Sequence, residues 1–441
     1  MIIRDARDIA WTVGTEASGS ALFAAMESYF TFRTDAMDRL DNLLAADPDV
    51  PGAHLLKGYL LLFARAAHKR PAAGTALAAA EALAPAATAR EQMHIGALKA
   101  WLGGDVLGAQ RRWDAILTTC PLDLLALRVQ HFNAMFLGRP DYLRSIGARA
   151  LGSWSDTVPG AGFVYGMACM GFEEARDFAR AEDLGRRGHM LEPDDLWCVH
   201  SVAHVMEAEG RLNEGLAWME RPDTYWEKRG PMRHHLWWHE ALFLYEAGQY
   251  DQVLDYYDSR LAPQGPIGYM ELSNAAALLL RLEAAGVHCG DRWAALAAVC
   301  SPMFDDRSLT FSDVHLMFAL AGARDGTALA RVAREIEAHA SGTGFDAEAA
   351  GRIAVPVARA LTARLAGDPQ TATDQLVAAR FDFPRMGGSN AQRDVLDVLL
   401  IDCASDAGEV QLARRLLHEY LDLRPGSVPM QTKLAALDAA A

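Results

Sequence analysis

The spacing of apolar residues constrains the fold of this 441-residue chain more than any other feature of its sequence. Apolar side chains recur every three or four residues over nearly the whole length, which is the period of helices with one buried face. Almost no segment alternates with the period of two that a half-buried strand requires. Glycines and Asp-Pro breaks interrupt the pattern at intervals that fit pairs of antiparallel helices. The sequence therefore predicts an all-α fold.

One repeat is especially clear, where Trp101, Gly104, Ala109, Trp113 and Pro121 follow one another at the intervals of a tetratricopeptide unit of about 34 residues. The small Ala109 allows the two helices to approach, and Trp113 fills the space between them. Pro121 ends the second helix because proline cannot donate a backbone hydrogen bond. We therefore predict a tetratricopeptide-like solenoid, a right-handed superhelix of antiparallel helix pairs.

We predict three consecutive regions along this array. An irregular helical cap occupies residues 1–34, tetratricopeptide-like helix pairs occupy residues 35–340, and further helical repeats with a cap occupy residues 345–441. The most linker-like stretch is the Ser-Gly-Thr-Gly sequence at residues 341–344, because glycine and small polar residues favour loops.

Composition narrows the classes of partner. The formal net charge of −15 at pH 7 repels phosphate backbones and anionic lipids, so we expect neither nucleic acid nor a membrane as a partner. The six cysteines form no CxxC pair, and the first residues are charged where a signal peptide needs an apolar run. The longest apolar stretch is too short to cross a bilayer. These features predict a cytoplasmic protein with reduced thiols.

Two neighbouring predicted helices each carry two histidines four residues apart, His200 with His204 and His235 with His239. Residues at this spacing lie on one face of a helix, and the first helices of successive pairs line one concave groove. Imidazoles brought together in this way can bind a divalent metal ion, although no established spacing such as HExxH is present. The alternative is that the four rings pack and hydrogen-bond along a buried seam.

The same region offers candidates for general acid–base chemistry without a metal. A histidine with a pKa near neutrality that faces a glutamate can both accept and donate a proton near pH 7. The candidate catalytic residues are His204, His239 and Glu240, and Glu207 is a further carboxylate in reach of them. A structural hydrogen-bond network is again the alternative.

Two later segments carry weaker signals. Asp313 and His315 stand near the start of a predicted helix, where an early carboxylate commonly satisfies free backbone amides. The segment RMGGSNAQRDVL places two glycines before a helix, but it lacks the lysine and the spacing of a Walker loop. A helix capped by Ser389 or Asn390 is the favoured interpretation, and no nucleotide cofactor is indicated.

Four segments resemble the tetratricopeptide repeat protein 38 family: VHSVAHVMEAEGRLNEGLAWME, HLWWHEALFLYEAGQYDQVLDYYD, FSDVHLMFALAG and MGGSNAQRDVL. The resemblance extends from about Asp35 to Pro425 and implies the helical-repeat fold, but no defined reaction. It also implies a characteristic set of polar residues, namely His131, Tyr165, Glu174, His200, His204, His235, His239, Glu240, Asp313, His315, Gln392 and Arg393. The chain departs from the family at Asn390, where the resemblance leads us to expect histidine.

These observations favour a concave pocket, rich in histidine, glutamate and tryptophan, that binds a small polar molecule. The members of the set above that are not candidate catalytic residues, together with Trp238 and Asn390, are predicted to bind the substrate. The chemistry would be general acid–base, with or without a divalent metal, and an enzyme of this kind would be a hydrolase or another acid–base enzyme. The competing hypothesis is a scaffold that binds a peptide along the groove. The sequence leaves open whether the protein is an enzyme and whether it forms a homo-oligomer.

Overall fold

The computed structural model describes residues 1–230 and 232–439, so Pro231 and the last two residues of the predicted C-terminal region lie outside the described part. The chain divides into two compact units. The first unit comprises Met1–Met135, Arg139–Val202 and Arg221–Met232, and the second comprises Phe136–Gly138, Ala203–Glu220 and Arg233–Ala441. The predicted linker at residues 341–344 lies within the second unit, and the three predicted regions stay predictions.

The first unit begins with a small antiparallel hairpin of β1 (Ile2–Arg4) and β2 (Ala10–Thr12), in which Ile3 pairs with Trp11. Apolar periodicity gives no sign of this hairpin, because strands of three residues are too short to show an alternating pattern. The indole of Trp11 is almost fully buried and stacks beneath the guanidinium of Arg90, which lies 3.9 Å from the ring centroid. Thr12 of the hairpin also donates to the carboxylate of Glu91, so the hairpin is held against α5 (Ala89–Leu102).

Helices make up most of the remaining chain. The helices up to residue 226 are α1 (Glu16–Phe30), α2 (Ala36–Ala46), α3 (Pro51–Phe63), α4 (Arg70–Leu83), α5 (Ala89–Leu102), α6 (Val106–Thr119), α7 (Leu124–Ala134), α8 (Pro140–Ala150), α9 (Ala161–Glu174), α10 (Phe178–Leu191), α11 (Leu196–Ala208), α12 (Leu212–Met219) and α13 (Asp223–Trp226). The boundary between the two units falls within α11.

The later helices all belong to the second unit, apart from the first residue of α14. They are α14 (Met232–Glu246), α15 (Tyr250–Tyr256), α16 (Tyr269–Ala284), α17 (Arg292–Val299), α18 (Thr310–Gly322), α19 (Gly326–Ala340), α20 (Phe345–Ala349), α21 (Val355–Leu365), α22 (Pro369–Ala379), α23 (Asn390–Arg393), α24 (Val395–Asp406), α25 (Val410–Leu423) and α26 (Val428–Ala439). Short 3₁₀ segments occupy Ala67–Lys69, Ser301–Met303 and Arg380–Met386, and π segments occupy Tyr257–Leu261 and Ala350–Ala354.

The predicted repeat around Trp113 is the pair α5 and α6. Thr88 and Glu91 form a capping box at the start of α5, each side chain bonding to the backbone of the other. Ala109 and Trp113 have no exposed surface between the two helices. Truncating a buried tryptophan of this kind typically costs about 3–5 kcal/mol of stability. The all-α fold of tetratricopeptide type that the sequence predicts is confirmed.

Close packing also sets the position of α14 in the second unit. A Cβ atom at Gly215 would lie 2.2 Å from the ring of Phe243, so glycine allows α12 to approach α14 at this point. One apolar core then extends from α14 to α26. Among the helices of the described residues, none combines the length and apolarity needed to cross a lipid bilayer.

Candidate functional site

Three of the four predicted histidines meet in the second unit. His204 lies on α11, and His235 and His239 lie one turn apart on α14. All three are buried. The ring centroids of His204 and His239 are 4.4 Å apart, and those of His235 and His239 are 4.8 Å apart. The spacing of four residues therefore places the imidazoles as the sequence suggests, in mutual contact.

His200 precedes His204 by one turn of the same helix and is also buried. One ligand nitrogen from each of the four histidines lies within 4.8 Å of the others. In a tetrahedral zinc site with bonds of about 2.0–2.1 Å, the ligand nitrogens stand about 3.3 Å apart. The widest of these separations would have to shorten by up to about 1.5 Å to reach that spacing.

Each histidine of α14 has its Nδ1 atom placed against an acceptor. Nδ1 of His239 lies 3.0 Å from Oε2 of Glu207 on α11, and Nδ1 of His235 lies 3.0 Å from Oδ1 of Asn274 on α16. An acceptor at Nδ1 holds the proton there and leaves the lone pair on Nε2, the nitrogen that a metal ion would bind. Carboxylate and amide partners of this kind orient most metal-binding histidines.

Glu207 is itself part of a buried chain of charges. Nη1 of Arg424 lies 2.8 Å from Oε1 of Glu207, and Nη2 of Arg424 lies 2.8 Å from Oδ2 of Asp394. Burial raises the pKa of Glu207, but Arg424 and His239 together lower it more, so the pKa falls below its ordinary range. Glu207 is therefore ionised at neutral pH and suited to holding an imidazole rather than to accepting a proton.

Burial determines the protonation of the histidines. Burial, assisted by the neighbouring His239, lowers the pKa of His204 well below its ordinary value and that of His235 to about 3. Both rings are consequently neutral at pH 7, which is the form that binds metal ions. The expected pKa near neutrality is therefore wrong for His204, because the sequence could not show how completely this ring is withdrawn from water.

The other predicted residues of α14 have different surroundings. Trp238 is buried and stacks on His235, with ring centroids 5.3 Å apart and an interplanar angle of 14°. Glu240 is half-buried next to His239 in the sequence. The carboxylate that holds Nδ1 of His239 is that of Glu207, so Glu207 has the positioning role.

On α18, Asp313 and His315 are engaged locally. The guanidinium of Arg307 donates to Asp313 across 2.5 Å, yet burial raises the pKa of Asp313 to about 8 against the opposing effect of Arg307. His315 places Nδ1 2.7 Å from the carbonyl oxygen of Phe311, one turn earlier, and burial lowers its pKa to about 4. Asp313 is thus held by a guanidinium and His315 by a carbonyl oxygen of its own helix, and the roles predicted for both residues stay predictions.

The Gly-Gly segment forms the turn that enters α23. Gly387 and Gly388 have φ angles of +83° and +82°, a conformation that favours glycine. The amide of Ser389 donates to Oε1 of Gln392 across 3.0 Å, and Nη2 of Arg393 donates to Oδ1 of Asn390 across 2.7 Å. The predicted binding residues of this segment thus make the contacts of a helix cap, as the capping interpretation expects.

The remaining predicted residues belong to the first unit. His131 lies on α7, and Tyr165 and Glu174 lie on α9. The hydroxyl of Tyr165 donates to Oδ1 of Asp156 across 2.8 Å. The set that the family resemblance implies is therefore divided between the two units, and its roles stay predictions.

Asn274, Arg424 and Asp394 are the residues of the histidine site that sequence reasoning missed. They are distant from the histidines along the chain and belong to no motif. Only the packing of α16, α24 and α25 in the second unit brings them to the site. No local pattern in this sequence would have found them.

No known protein-family profile matches the chain. Solved structures that resemble it include Naa15/Naa10 bound to HypK-THB, with 10% identity and a TM-score of 0.25 over 96% of this chain and 66% of that chain. A monomeric mutant of IFIT1 with Gppp-AAAA matches with 14% identity and a TM-score of 0.35, over 96% of this chain and 100% of that chain. Yeast Tom70 matches with 13% identity and a TM-score of 0.29, over 96% of each chain. Against the first of these structures, the chain spans just under two thirds of the other's length. Similarities at this level assign no activity, substrate or partner.

Proposed function

We propose that the second unit binds a divalent transition metal ion of the zinc type through His204, His235 and His239, with His200 of α11 as a further ligand. We also propose that this centre binds a small polar molecule and acts on it by metal-assisted acid–base chemistry. The observation that supports the proposal is the convergence of four buried imidazoles. Those of His235 and His239, on α14, are each held at Nδ1 by an acceptor. Imidazole is a preferred ligand of zinc, copper, nickel and iron.

The energetics of the cluster support a metal over a purely structural role. Four ligand nitrogens within 4.8 Å of one another bring lone pairs together in a site from which water is largely withdrawn. Protonating the rings would place positive charges side by side, and the neighbouring imidazole already lowers the pKa of His204 and His235. A single dication would accept one lone pair from each of the four rings.

The number of histidine ligands separates a catalytic role from a structural one. Catalytic zinc sites have three protein ligands and an open position, whereas structural sites are closed by four. An open position would polarise a carbonyl group or activate a water molecule, which makes hydrolysis the reaction class that fits the centre best. Release of His200 would leave three ligands on α11 and α14.

Elemental analysis by mass spectrometry tests the proposal directly. The full chain, purified without a histidine tag or chelator and reconstituted with Zn²⁺, is expected to retain one metal ion per chain. A His204→Ala, His239→Ala double variant should lose it, whereas a matched double variant of the less buried His288 and His339 should keep it. Failure of the reconstituted chain to bind Zn²⁺ would overturn the proposal.

The second candidate function is a scaffold that binds a peptide, and the tetratricopeptide-type fold itself favours it. A stoichiometric protein partner, retained on the His204→Ala, His239→Ala variant but lost on substitution of other groove residues, would favour the scaffold. Membership of the tetratricopeptide repeat protein 38 family, a cytoplasmic location and homo-oligomerisation belong with these proposals.

A further inference from the structure

The first unit buries an arginine and a histidine whose hydrogen-bonding capacity is largely unused. Arg128 and His131 lie on the same side of α7, and neither has any exposed surface. Nη2 of Arg128 donates to the carbonyl oxygen of Phe30 across 2.8 Å. Nε and Nη1 of Arg128, and both ring nitrogens of His131, have no hydrogen-bond partner among the described residues.

Two residues at the start of α11 extend this group. Nε1 of Trp197 is buried and likewise lacks a partner within the described part of the protein. The carboxylate of Asp195 is buried too, and its Oδ1 accepts a hydrogen bond from the backbone amide of Trp197 across 3.0 Å. The ring centroids of Trp197 and His131 are 5.5 Å apart, and Oδ1 of Asp195 lies 3.8 Å from Nη2 of Arg128. Native proteins leave few buried polar atoms unsatisfied, so a group of such atoms in one place requires an explanation.

Half-buried aromatic rings form a continuous wall beside these polar atoms. The wall consists of Tyr29, Phe32, Phe63 and Phe132. Ring centroids lie 6.4 Å apart for Tyr29 and Phe63, 6.2 Å for Phe63 and Phe132, and 6.0 Å for Phe132 and Phe32. The guanidinium of Arg128 lies 4.8 Å from the centroids of both Phe32 and Phe132. A buried polar floor beside a partly exposed aromatic wall is the usual composition of a small-molecule site.

A second buried network in the same unit makes the contrast clear. Asp123 accepts hydrogen bonds from Arg90 and from His94, at 2.7 Å and 3.0 Å, and the other ring nitrogen of His94 meets the hydroxyl of Tyr59 at 3.0 Å. The carboxylate of Asp123 and both ring nitrogens of His94 are thus paired within the protein. The unused atoms around Arg128 therefore point to a ligand.

The unused atoms indicate the chemistry of that ligand. Most are donors: two guanidinium N–H groups of Arg128, the indole N–H of Trp197 and the hydroxyl of Tyr29, which also lacks a partner among the described residues. A carboxylate matches such donors, because arginine binds it through paired hydrogen bonds. Asp195 opposes an anion, but burial raises its pKa despite the counteracting charge of Arg128, which weakens the opposition.

We propose that the first unit contains a binding site for a small organic carboxylate with a flat aromatic body. The carboxylate binds Arg128 and Trp197, and the body lies against Phe32, Phe63 and Phe132. This site requires no metal, although the ring of Trp197 stacks on that of His200 with centroids 4.5 Å apart.

The matched pair Trp197→Phe and Trp154→Phe tests this assignment. Both indoles are buried, but Nε1 of Trp154 donates to the carbonyl oxygen of Pro121 across 3.0 Å, so its bond is internal. In isothermal titration calorimetry of the full chain with benzoate, Trp197→Phe is expected to weaken binding about tenfold, and Trp154→Phe to leave it unchanged. Benzamide, which lacks the charge, should bind at least about tenfold more weakly than benzoate. Equal weakening by both variants would overturn the assignment.

A crystal structure with 4-bromobenzoate gives the position of the ligand. We expect an anomalous bromine peak against Phe32, Phe63 or Phe132, with the carboxylate at Arg128. Ordered water alone at Arg128, His131 and Trp197 would overturn the proposal. Binding at crystal concentration only, with no heat of binding measured in solution, would overturn it as well. Neither result bears on the metal content of the second unit, so the two proposals fail separately.

Discussion

The first and second units each bury a histidine beside a carboxylate, but the two histidines differ in the groups that surround their ring nitrogens. In the first unit, His94 directs one ring nitrogen to Asp123 and the other to Tyr59. In the second unit, His239 directs Nδ1 to Glu207 and lies in a set of converging ligand nitrogens. A histidine with both nitrogens used by the protein is a structural element. For His239, the proposal instead assigns Nε2 to a metal ion.

The two carboxylates, Asp123 and Glu207, also differ in how their arginine partners are paired. Burial raises the pKa of Asp123, but Arg90 and His94 lower it more, so the pKa falls below its ordinary range. Among the ion pairs of the described residues, Asp123 is the only carboxylate partner of Arg90. Arg424 instead has both Glu207 and Asp394. One substitution therefore leaves Arg90 without a carboxylate partner, whereas Arg424 keeps one after the loss of the other.

The largest expected effect is that of Asp123→Asn. The substitution keeps the shape of the side chain but leaves the charge of Arg90 buried and unpaired, which costs about 3–5 kcal/mol. Glu207→Gln should cost less, because Arg424 retains Asp394. Urea unfolding of both variants at pH 7 measures the difference, and equal losses would break the comparison.

The pH dependence of Asp123 provides an internal check. Because the folded pKa is depressed, its contribution to stability is present above the unfolded pKa of about 4 and is lost as the pH falls below it. The Asp123→Asn variant should therefore lose less stability between pH 5 and pH 3 than the parent chain.

The next effect is the rise in melting temperature on adding Zn²⁺, which should differ between substitutions in the two units. A metal at one hundred times its dissociation constant stabilises the folded chain by about 2.7 kcal/mol. Added Zn²⁺ is expected to raise the melting temperature of the parent chain but not that of the His204→Ala, His239→Ala variant. His94→Phe, in the first unit, should unfold at a lower temperature yet keep the full response to Zn²⁺. Loss of the response in His94→Phe would show that Zn²⁺ binding depends on His94 and not on the proposed cluster alone.

A smaller effect follows from the depressed pKa of His235. Its folded pKa of about 3 means that, below about pH 6.5, the unfolded chain binds a proton that the folded chain does not. Stability without metal should therefore fall by about 1.4 kcal/mol per pH unit between those values for this one group. His235→Phe should reduce the slope of unfolding free energy against pH by that amount, and an unchanged slope would contradict the assigned burial.

The smallest expected effect concerns the partner of His235. Asn274→Ala removes the acceptor at Nδ1 and should weaken Zn²⁺ binding about tenfold, as loss of such a partner typically does. The neighbouring Ser273→Ala is the control, since the hydroxyl of Ser273 donates to the carbonyl oxygen of Met270 within α16. Competition with a chromophoric zinc chelator measures both constants. Equal weakening by the two substitutions would deny Asn274 a specific role.

The helical fold and the histidine pairs could be predicted because both depend on local spacing. The period of apolar residues and the four-residue separation of His200 from His204 are visible in the sequence itself. Glu207 could be identified as a candidate for the same reason, since it lies on the same helix as His204.

Features that depend on the packing of distant segments could not be predicted. The position of Asn274 opposite His235, and the low pKa of His204, follow from tertiary contacts that no local pattern encodes. The unpaired nitrogens of His131 become visible only once every neighbour is placed. The polar residues implied by the family resemblance were expected in one groove, yet they are divided between two units.

The ion pair between Glu207 and Arg424 joins residues that are 217 positions apart. A ribosome that adds about 5–20 residues per second reaches Arg424 roughly 10–40 s after Glu207. During that interval His239 is already present, but the carboxylate that orients it has no cationic partner from α25. The ion pair that holds Glu207 therefore forms late in synthesis, and a chain truncated before Arg424 would carry all four histidines without that partner for Glu207.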